Sequence, residues 1–280
     1  MTSLLTAIGR TPRTEALFSG AVSAPGLELK LPAMPVISRA FAPMVREGKY
    51  EASEMAIATF LMAKAAGKPL VLLPVILVSR FQEAALLCLA ESRLTPDQLA
   101  GKRVGVRAYS QTTGLWLRGT LAESHGVAPE SVEWITFEGA HVSEYQDPPW
   151  VTRAAPGKDL LAMLLAGEID AAIFGNDLPE GVPLRPVFPD PEAAGAAFKA
   201  RHGFVPVNHL LTARSDIAQT RPDALTALIA LLGKAGATVT TRAAMRPALD
   251  LAMEYALAQG LLTRRLSVEE IWEGTPPSIR

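Results

Sequence analysis

Two stretches of the chain carry the residue types and spacing of an anion site. The first is Arg107-Ala108-Tyr109-Ser110-Gln111-Thr112-Thr113-Gly114, which joins a strand pattern to a helix pattern. Ser110, Thr112 and Thr113 bring three hydroxyls to a helix start, where the first backbone N–H groups lack intrahelical acceptors and the dipole favours negative charge. A plain N-cap needs one hydroxyl, so three exceed the structural requirement. The second stretch is Glu51-Ala52-Ser53-Glu54-Met55. Here Ser53 is expected to cap a helix and offer its hydroxyl or N–H to a ligand, with Glu54 in the first turn beside the positive end of the dipole.

The histidines separate by context. His125 and His202 each precede a glycine at a helix end and read as dipole partners. His141 lies in a loop after a strand pattern, where binding groups concentrate, and His209 opens the strand pattern Asn208 to Ala213. Either can serve as an acid, a base or an orienting group. Arg80 ends a buried apolar run, and its planar guanidinium suits a bidentate carboxylate. Trp116 reads as core, and Arg118 as a helix residue able to point to solvent. There is no His/Cys/carboxylate spacing for a metal, so no metal site is expected, and with no Walker, G-x-S-x-G or G-x-G-x-x-G signature the NTPase, hydrolase-elbow and dinucleotide readings lack support. Cys88, the single cysteine, sits in an apolar run and reads as a buried structural thiol.

The elements that must position these residues alternate between helix and strand almost throughout, which indicates an α/β fold. Strands are expected at 4–8, 27–31, 50–52, 70–78, 103–108, 131–137, 169–174 and 208–213, with 70–78 apolar enough to be a buried parallel strand. Helices are expected at 35–46, 53–66, 112–124, 159–166, 222–232 and 246–259, with Gly48, Gly67 and Gly126 as C-terminal stops. Thr95-Pro96-Asp97-Gln98 is a capping box. Residues 45–52 parallel residues 164–171: each runs helix end, glycine, charged residue, apolar residue, acid, alanine. Such a pattern fits two similar lobes.

The 280 residues are 49% hydrophobic with a net charge of −1, enough for a large core and without the footprint of a nucleic-acid or membrane-surface partner. No signal-peptide pattern opens the sequence and no apolar run is long enough to span a bilayer, so a cytoplasmic location is the expectation. A homo-oligomer is left open.

The segments Arg46 through Met55, Pro74 through Phe81, Gly101 through Val106, Thr112 through Gly119 and Asn208-His209, in that order, resemble the 4,5-dihydroxyphthalate decarboxylase family. The match runs from Arg13-Thr14 to about His209. The resemblance implies a type II periplasmic-binding-protein-like fold: two lobes, each a mostly parallel sheet flanked by helices, joined by two crossing strands. Those crossings are expected near Ala84 to Glu91 and Pro206 to Ala213, giving one lobe of residues 1–90 and 208–280, another of residues 91–207, and a ligand cleft between them. One position departs: the family has a histidine shortly after the Ser-Arg-Phe motif, where this chain runs Gln82-Glu83.

The resemblance also implies non-oxidative decarboxylation of a catechol dicarboxylate without an organic cofactor. That reaction needs an acid at the ring carbon bearing the departing carboxylate, an acceptor near the ring hydroxyls, and N–H or cationic contacts for the remaining carboxylate. On this reading Ser110, Thr112 and Thr113 cradle one carboxylate, with Tyr109, Ser53 and Asn208 beside the ligand and Arg80 pairing with an anionic group from the facing lobe. His209 or His141 supplies the proton, and Glu54 or Glu83 orients a histidine or accepts a phenolic proton. Two other readings remain: a binding or sensor protein for a small aromatic or carboxylate anion, and a different lyase on the same scaffold, similar to chorismate dehydratase.

Overall fold

The computed structural model describes residues 2–175 and 178–279. In chain order the strands are β1 (Thr2–Ala7), β2 (Leu27–Lys30), β3 (Ala52–Ala56), β4 (Leu70–Ser79), β5 (Leu86–Leu89), β6 (Arg103–Val106), β7 (Glu133–Thr136), β8 (Val151–Arg153), β9 (Ala171–Ile173), β10 (Leu184–Pro186), β11 (Val207–Arg214) and β12 (Thr238–Val239). The α-helices are α1 (Glu15–Phe18), α2 (Phe41–Glu47), α3 (Ile57–Ala65), α4 (Thr112–His125), α5 (Leu160–Leu165), α6 (Pro191–His202), α7 (Ser215–Thr220), α8 (Pro222–Ala235), α9 (Arg242–Ala258) and α10 (Val268–Trp272).

The strands form two sheets, ordered β12-β4-β11-β3-β1-β2 and β10-β5-β9-β6-β7-β8. Within them β1 lies parallel to β2 and β3, and β6 lies parallel to β7 and β9. Each sheet therefore contains the same three-strand unit, its first strand in the middle. The parallel between residues 45–52 and 164–171 is the joint entering the third strand of each unit. Gly48 and Gly167 take positive φ after α2 and α5, a conformation glycine adopts at little steric cost. The acids that follow bind back to the central strand: Leu5 N–H donates to Glu51 Oε2 (2.7 Å), and Arg103 N–H donates to Asp170 Oδ2 (2.9 Å).

The chain leaves the first sheet after β4, enters the second at β5, and returns through α6 to β11. The expected division placed residues up to 90 with the first lobe, but β5 pairs with β9 and β10 in the second sheet. β4 differs from expectation too: it lies antiparallel to β11 and β12. Its continuous apolar pattern reflects cover by the C-terminal helices α8 and α10 and not parallel pairing.

Two further differences have local causes. The expected helix at 53–66 divides, because Ala52–Ala56 pair with β11, Ala52 and Ser53 also with β1, and only Ile57 onward is free to coil. Tertiary hydrogen bonding overrides local propensity there. Helix α6 escapes the periodicity reading because its Ala- and Gly-rich face has no apolar stripe. Asp190 caps it by accepting from Ala193 N–H (2.9 Å), and Gly195 is required where a Cβ would stand 2.5 Å from Phe81 Cγ.

One core cluster runs through both sheets, with Phe60, Trp116, Trp134 and Met253 buried in it. Helix α9 contacts both α3 and α4, and Trp116 donates its indole N–H to Val207 O (2.9 Å), tying the second sheet's helix to the returning strand. Among the described residues no helix is long and apolar enough to cross a membrane.

Candidate functional site

A cavity of about 280 Å³ opens between the two sheets. From the first sheet's side it is walled by Val36–Ser38, Phe41, Ala56, Thr59, Asn208 and His209. From the second it is walled by Arg107, Ser110–Thr113, His141, Leu160 and Ile173–Gly175. The β-to-α joints of both sheets thus meet in one space, the usual ligand position of open α/β sheets.

Helix α4 presents its N-terminus to this space. Its cap residue Gln111 makes no side-chain cap bond, and the amides of Thr112, Thr113 and Gly114 find no protein acceptor among the described residues. Free amides at a helix start form an anion-binding surface. Helix α3 begins beside it: Ala58 N–H donates to Thr112 Oγ1 (3.2 Å), so two helix starts converge. Arg107 adds a part-exposed cation at the rim, 3.5 Å from Glu138. Apolar side chains Val36, Ile37, Leu160, Ile173 and Phe174 supply a surface for a ring.

The two cavity histidines flank Phe41, whose ring meets His141 at 5.6 Å and His209 at 5.3 Å, both edge-on. They differ in what holds them. His209 Nδ1 lies 2.5 Å from Glu54 Oε1, while Glu54 Oε2 accepts from Gly9 N–H (2.8 Å). Glu54 is 2% exposed, so its carboxylate is a fixed part of the wall behind the imidazole. Register explains the contact: His209 pairs with Ala56 and Leu211 with Glu54, so Glu54 is the diagonal neighbour of His209 on one sheet face. Irregular pairing of β11 with β4 on both sides of His209 turns the strand locally, as bulges do beside functional sites. With Nδ1 engaged, Nε2 is the ring nitrogen left for the cavity.

His141 has no carboxylate. Its Nδ1 lies 2.9 Å from Thr59 Oγ1, and burial, followed by the positive charges of Arg107 and Arg46, pushes its pKa down to about 4. At neutral pH it is an uncharged imidazole, able to accept or donate a hydrogen bond but a poor proton acceptor, because burial and the two arginines disfavour its charged form. Arg46, which follows Val45 on α2, holds the His141 loop by donating to Ala140 O (2.7 Å) and His141 O (2.9 Å).

Of the residues singled out from sequence, Ser110, Thr112, Thr113, Asn208, His141 and His209 line the cavity, and Glu54 reaches it through His209. The others lie elsewhere. Ser53 is a fully buried β3 residue whose hydroxyl donates to Glu54 O (2.7 Å), because strand pairing removes the helix start it was expected to cap. Tyr109 is fully buried under the cradle, its hydroxyl accepting from Trp150 Nε1 (3.0 Å). Arg80 lies behind the wall, donating to Thr113 Oγ1 and to Gly175 O, both at 3.1 Å. Glu83 is buried in the crossing segment with its carboxylate accepting from Gln82 N–H (2.8 Å), and burial pushes its pKa up. Asn208 faces the cavity while its amide pairs with that of Gln82 (2.8 Å). Arg118, expected to be free to face solvent, is 1% exposed.

Sequence reasoning missed Phe41, Thr59 and the Val36–Ser38 segment, and it gave Gln111 no role within the stretch it singled out. Nothing in their types marks them; only Arg107, next to the cradle, carried a local signal. Among the described residues no group of three or more His, Cys, Asp or Glu side chains is placed to hold a metal.

No family model matches the chain. The 4,5-dihydroxyphthalate decarboxylase of Comamonas testosteroni is 27% identical over 95% of this chain and 84% of its own length. The enzyme of the same name from Pseudomonas putida is 28% identical over 61% of this chain and 69% of its own. Among solved structures, the alkanesulfonate-binding protein of Xanthomonas axonopodis pv. citri bound to MOPS superposes with a TM-score of 0.57 at 16% identity, over 99% of this chain and 85% of that one. The periplasmic aliphatic sulphonate-binding protein of Escherichia coli gives 0.59 at 14% identity, over 98% and 79%. The chain therefore has the two-lobed, type II periplasmic-binding-protein-like fold, and over most of its length its sequence is similar to the 4,5-dihydroxyphthalate decarboxylases.

Proposed function

We propose that this chain is a carboxy-lyase that removes CO2 non-oxidatively from a single-ring aromatic dicarboxylate of the dihydroxyphthalate kind. The observation that carries the reading is the pairing of His209 with buried Glu54 on one wall, opposite the uncapped α4 N-terminus on the other. One wall moves a proton and the other holds an anion. A cavity of about 280 Å³ suits one substituted ring.

In this mechanism one carboxylate of the substrate sits on the free amides of Thr112 to Gly114 and the Ser110 hydroxyl, and the ring lies against Phe41, Ile173 and Phe174. His209 Nε2–H delivers its proton to the ring carbon bearing the other carboxylate, which becomes tetrahedral. The C–CO2 bond then breaks, its electron pair returns to the ring, and CO2 leaves. Glu54 holds the imidazole through Nδ1 and balances the charge that His209 carries before transfer. Neutral His141 accepts a hydrogen bond from a ring hydroxyl, raising electron density at the carbon being protonated. The departing carboxylate is best left in the apolar part of the cavity, since contacts that favour it in the bound substrate oppose its loss.

A binding protein without chemistry is the second reading, favoured by the sulfonate-binding neighbours in structure. The cradle alone would serve it. Incubation with 4,5-dihydroxyphthalate, following CO2 release and thermal stabilisation together, separates the two. CO2 release supports the lyase; stabilisation without CO2 supports the binding protein and refutes the reaction.

A further inference from the structure

Helix α4 contains a buried charge that the proposed mechanism leaves unused. Arg118 is 1% exposed, and no carboxylate touches it among the described residues. Its Nη2 donates to Tyr109 O (2.6 Å), its Nε donates to Gln259 Oε1 (2.7 Å), and its Nη1 has no partner among the described residues. The guanidinium lies over the Tyr109 ring at 3.9 Å. Nearby Asp147 is already paired with Arg153 at 3.1 Å. A buried cation without a counter-ion is unfavourable, and an apolar side chain of similar length could fill the volume without that cost.

Its position suggests what balances it. Tyr109 and Gly114 bracket the cradle, and the guanidinium occupies the back of that same turn. It bonds the carbonyl of Tyr109, and a Cβ on Gly114 would stand 2.8 Å from Nη1. The front of the turn, Ser110 to Thr113, faces the cavity. We infer that Arg118 is a positioning residue for the bound anion: a fixed positive charge behind the α4 N-terminus whose missing counter-ion is the ligand's carboxylate. It shapes the turn through Tyr109 and adds its field to the free amides. The inference rests on the cavity as an anion site, and not on decarboxylation.

The test measures phthalate binding by titration calorimetry, at low ionic strength, to the wild-type chain, R118M and R118K. All three are checked for folding by circular dichroism. R118M should bind on the order of tenfold to a hundredfold more weakly. R118K should bind close to wild type while its ammonium is charged, and lose affinity as pH rises through the lysine's titration; wild type should stay flat over that range above pH 7. The groups facing that lysine are Tyr109, Tyr145 and Asp147 with its partner Arg153, so the same series on wild type subtracts their contribution. A purely structural role would not make R118K track pH. Equal phthalate affinity in folded R118M and wild type overturns the inference, as does R118K as weak as R118M at every pH. If R118M does not fold, the R118K series decides alone. If wild type binds neither phthalate nor sulfate, the anion cradle fails and the inference with it. If it binds phthalate but releases no CO2 from 4,5-dihydroxyphthalate, the reaction alone is refuted and the Arg118 comparison stands as designed.

Discussion

Replacing Glu54 with glutamine tests the proton-transfer wall with a change of one atom. Both carboxylate oxygens are in use: Oε1 on His209 Nδ1 at 2.5 Å, and Oε2 on Gly9 N–H at 2.8 Å. A glutamine has one acceptor and one donor end. If it keeps the Gly9 bond, its NH2 faces Nδ1 and forces that nitrogen to accept, which ties the ring proton to Nε2 and removes the charge balance for an imidazolium. If it turns over, two N–H groups oppose each other at Gly9. Loss of a positioned general acid lowers turnover by about 10²- to 10⁴-fold, equivalent to about 3–5 kcal/mol of barrier. The mismatched buried group lowers stability by about 1–3 kcal/mol. Because Glu54 lies behind His209 and does not itself line the cavity, KM should stay within about threefold of wild type, a change worth under about 1 kcal/mol. The assay is steady-state CO2 release from 4,5-dihydroxyphthalate, with urea unfolding of the same preparations. H209N should lose turnover to a similar extent, and the double variant little more, since the two act as a unit. A folded E54Q enzyme with turnover within about threefold of wild type would refute the dyad.

Two further outcomes concern stability. His141 has an ordinary pKa of 6.5 and titrates near 4 in the fold, so between those values the unfolded chain binds the proton and the folded chain does not. Its contribution is fully present above pH 6.5 and is lost as pH falls toward 4, up to about 3 kcal/mol by linkage. H141N, which can keep the Thr59 bond, should therefore show a flatter fall in unfolding free energy across that window; an unchanged slope would show that His141 is not the group responsible. Gly119 on α4 faces Tyr255 on α9, where a Cβ would lie 2.0 Å from the ring's Cδ2. Tyr255 cannot easily retreat, being bonded to Glu123 at 2.8 Å and packed on Trp116, so G119A should lose about 1–3 kcal/mol despite alanine's better helix propensity. A melting temperature equal to wild type would mean that the two helices separate without penalty.

Much of the fold was legible because its signals are local. Gly48 and Gly126 stop their helices where expected, with positive φ, and the Thr95-to-Gln98 box forms as read. The hydroxyl-rich helix start at Ser110 to Thr113 was legible for the same reason, since helix N-termini advertise themselves within four residues. Ser53 and Glu54 misled because a serine followed by an acid signals a cap whether or not a neighbouring strand claims the backbone. Tyr109 and Arg118 misled because polar and charged side chains usually reach solvent, and only the packing of α9 on α4 and the Trp134 ring of β7 enclose them.

By itself the sequence determined the alternation of helices and strands in outline, the repeated joint before β3 and β9, and a helix start chemically suited to an anion. Tertiary structure alone decided which histidine has a carboxylate behind it. Glu54 and His209 are 155 positions apart, and they meet only because β11 returns from the second sheet to lie between β3 and β4 in the register that puts both on one face. A shift of one residue in that register would turn His209 away from the cavity, and no local pattern encodes a register between strands so far apart.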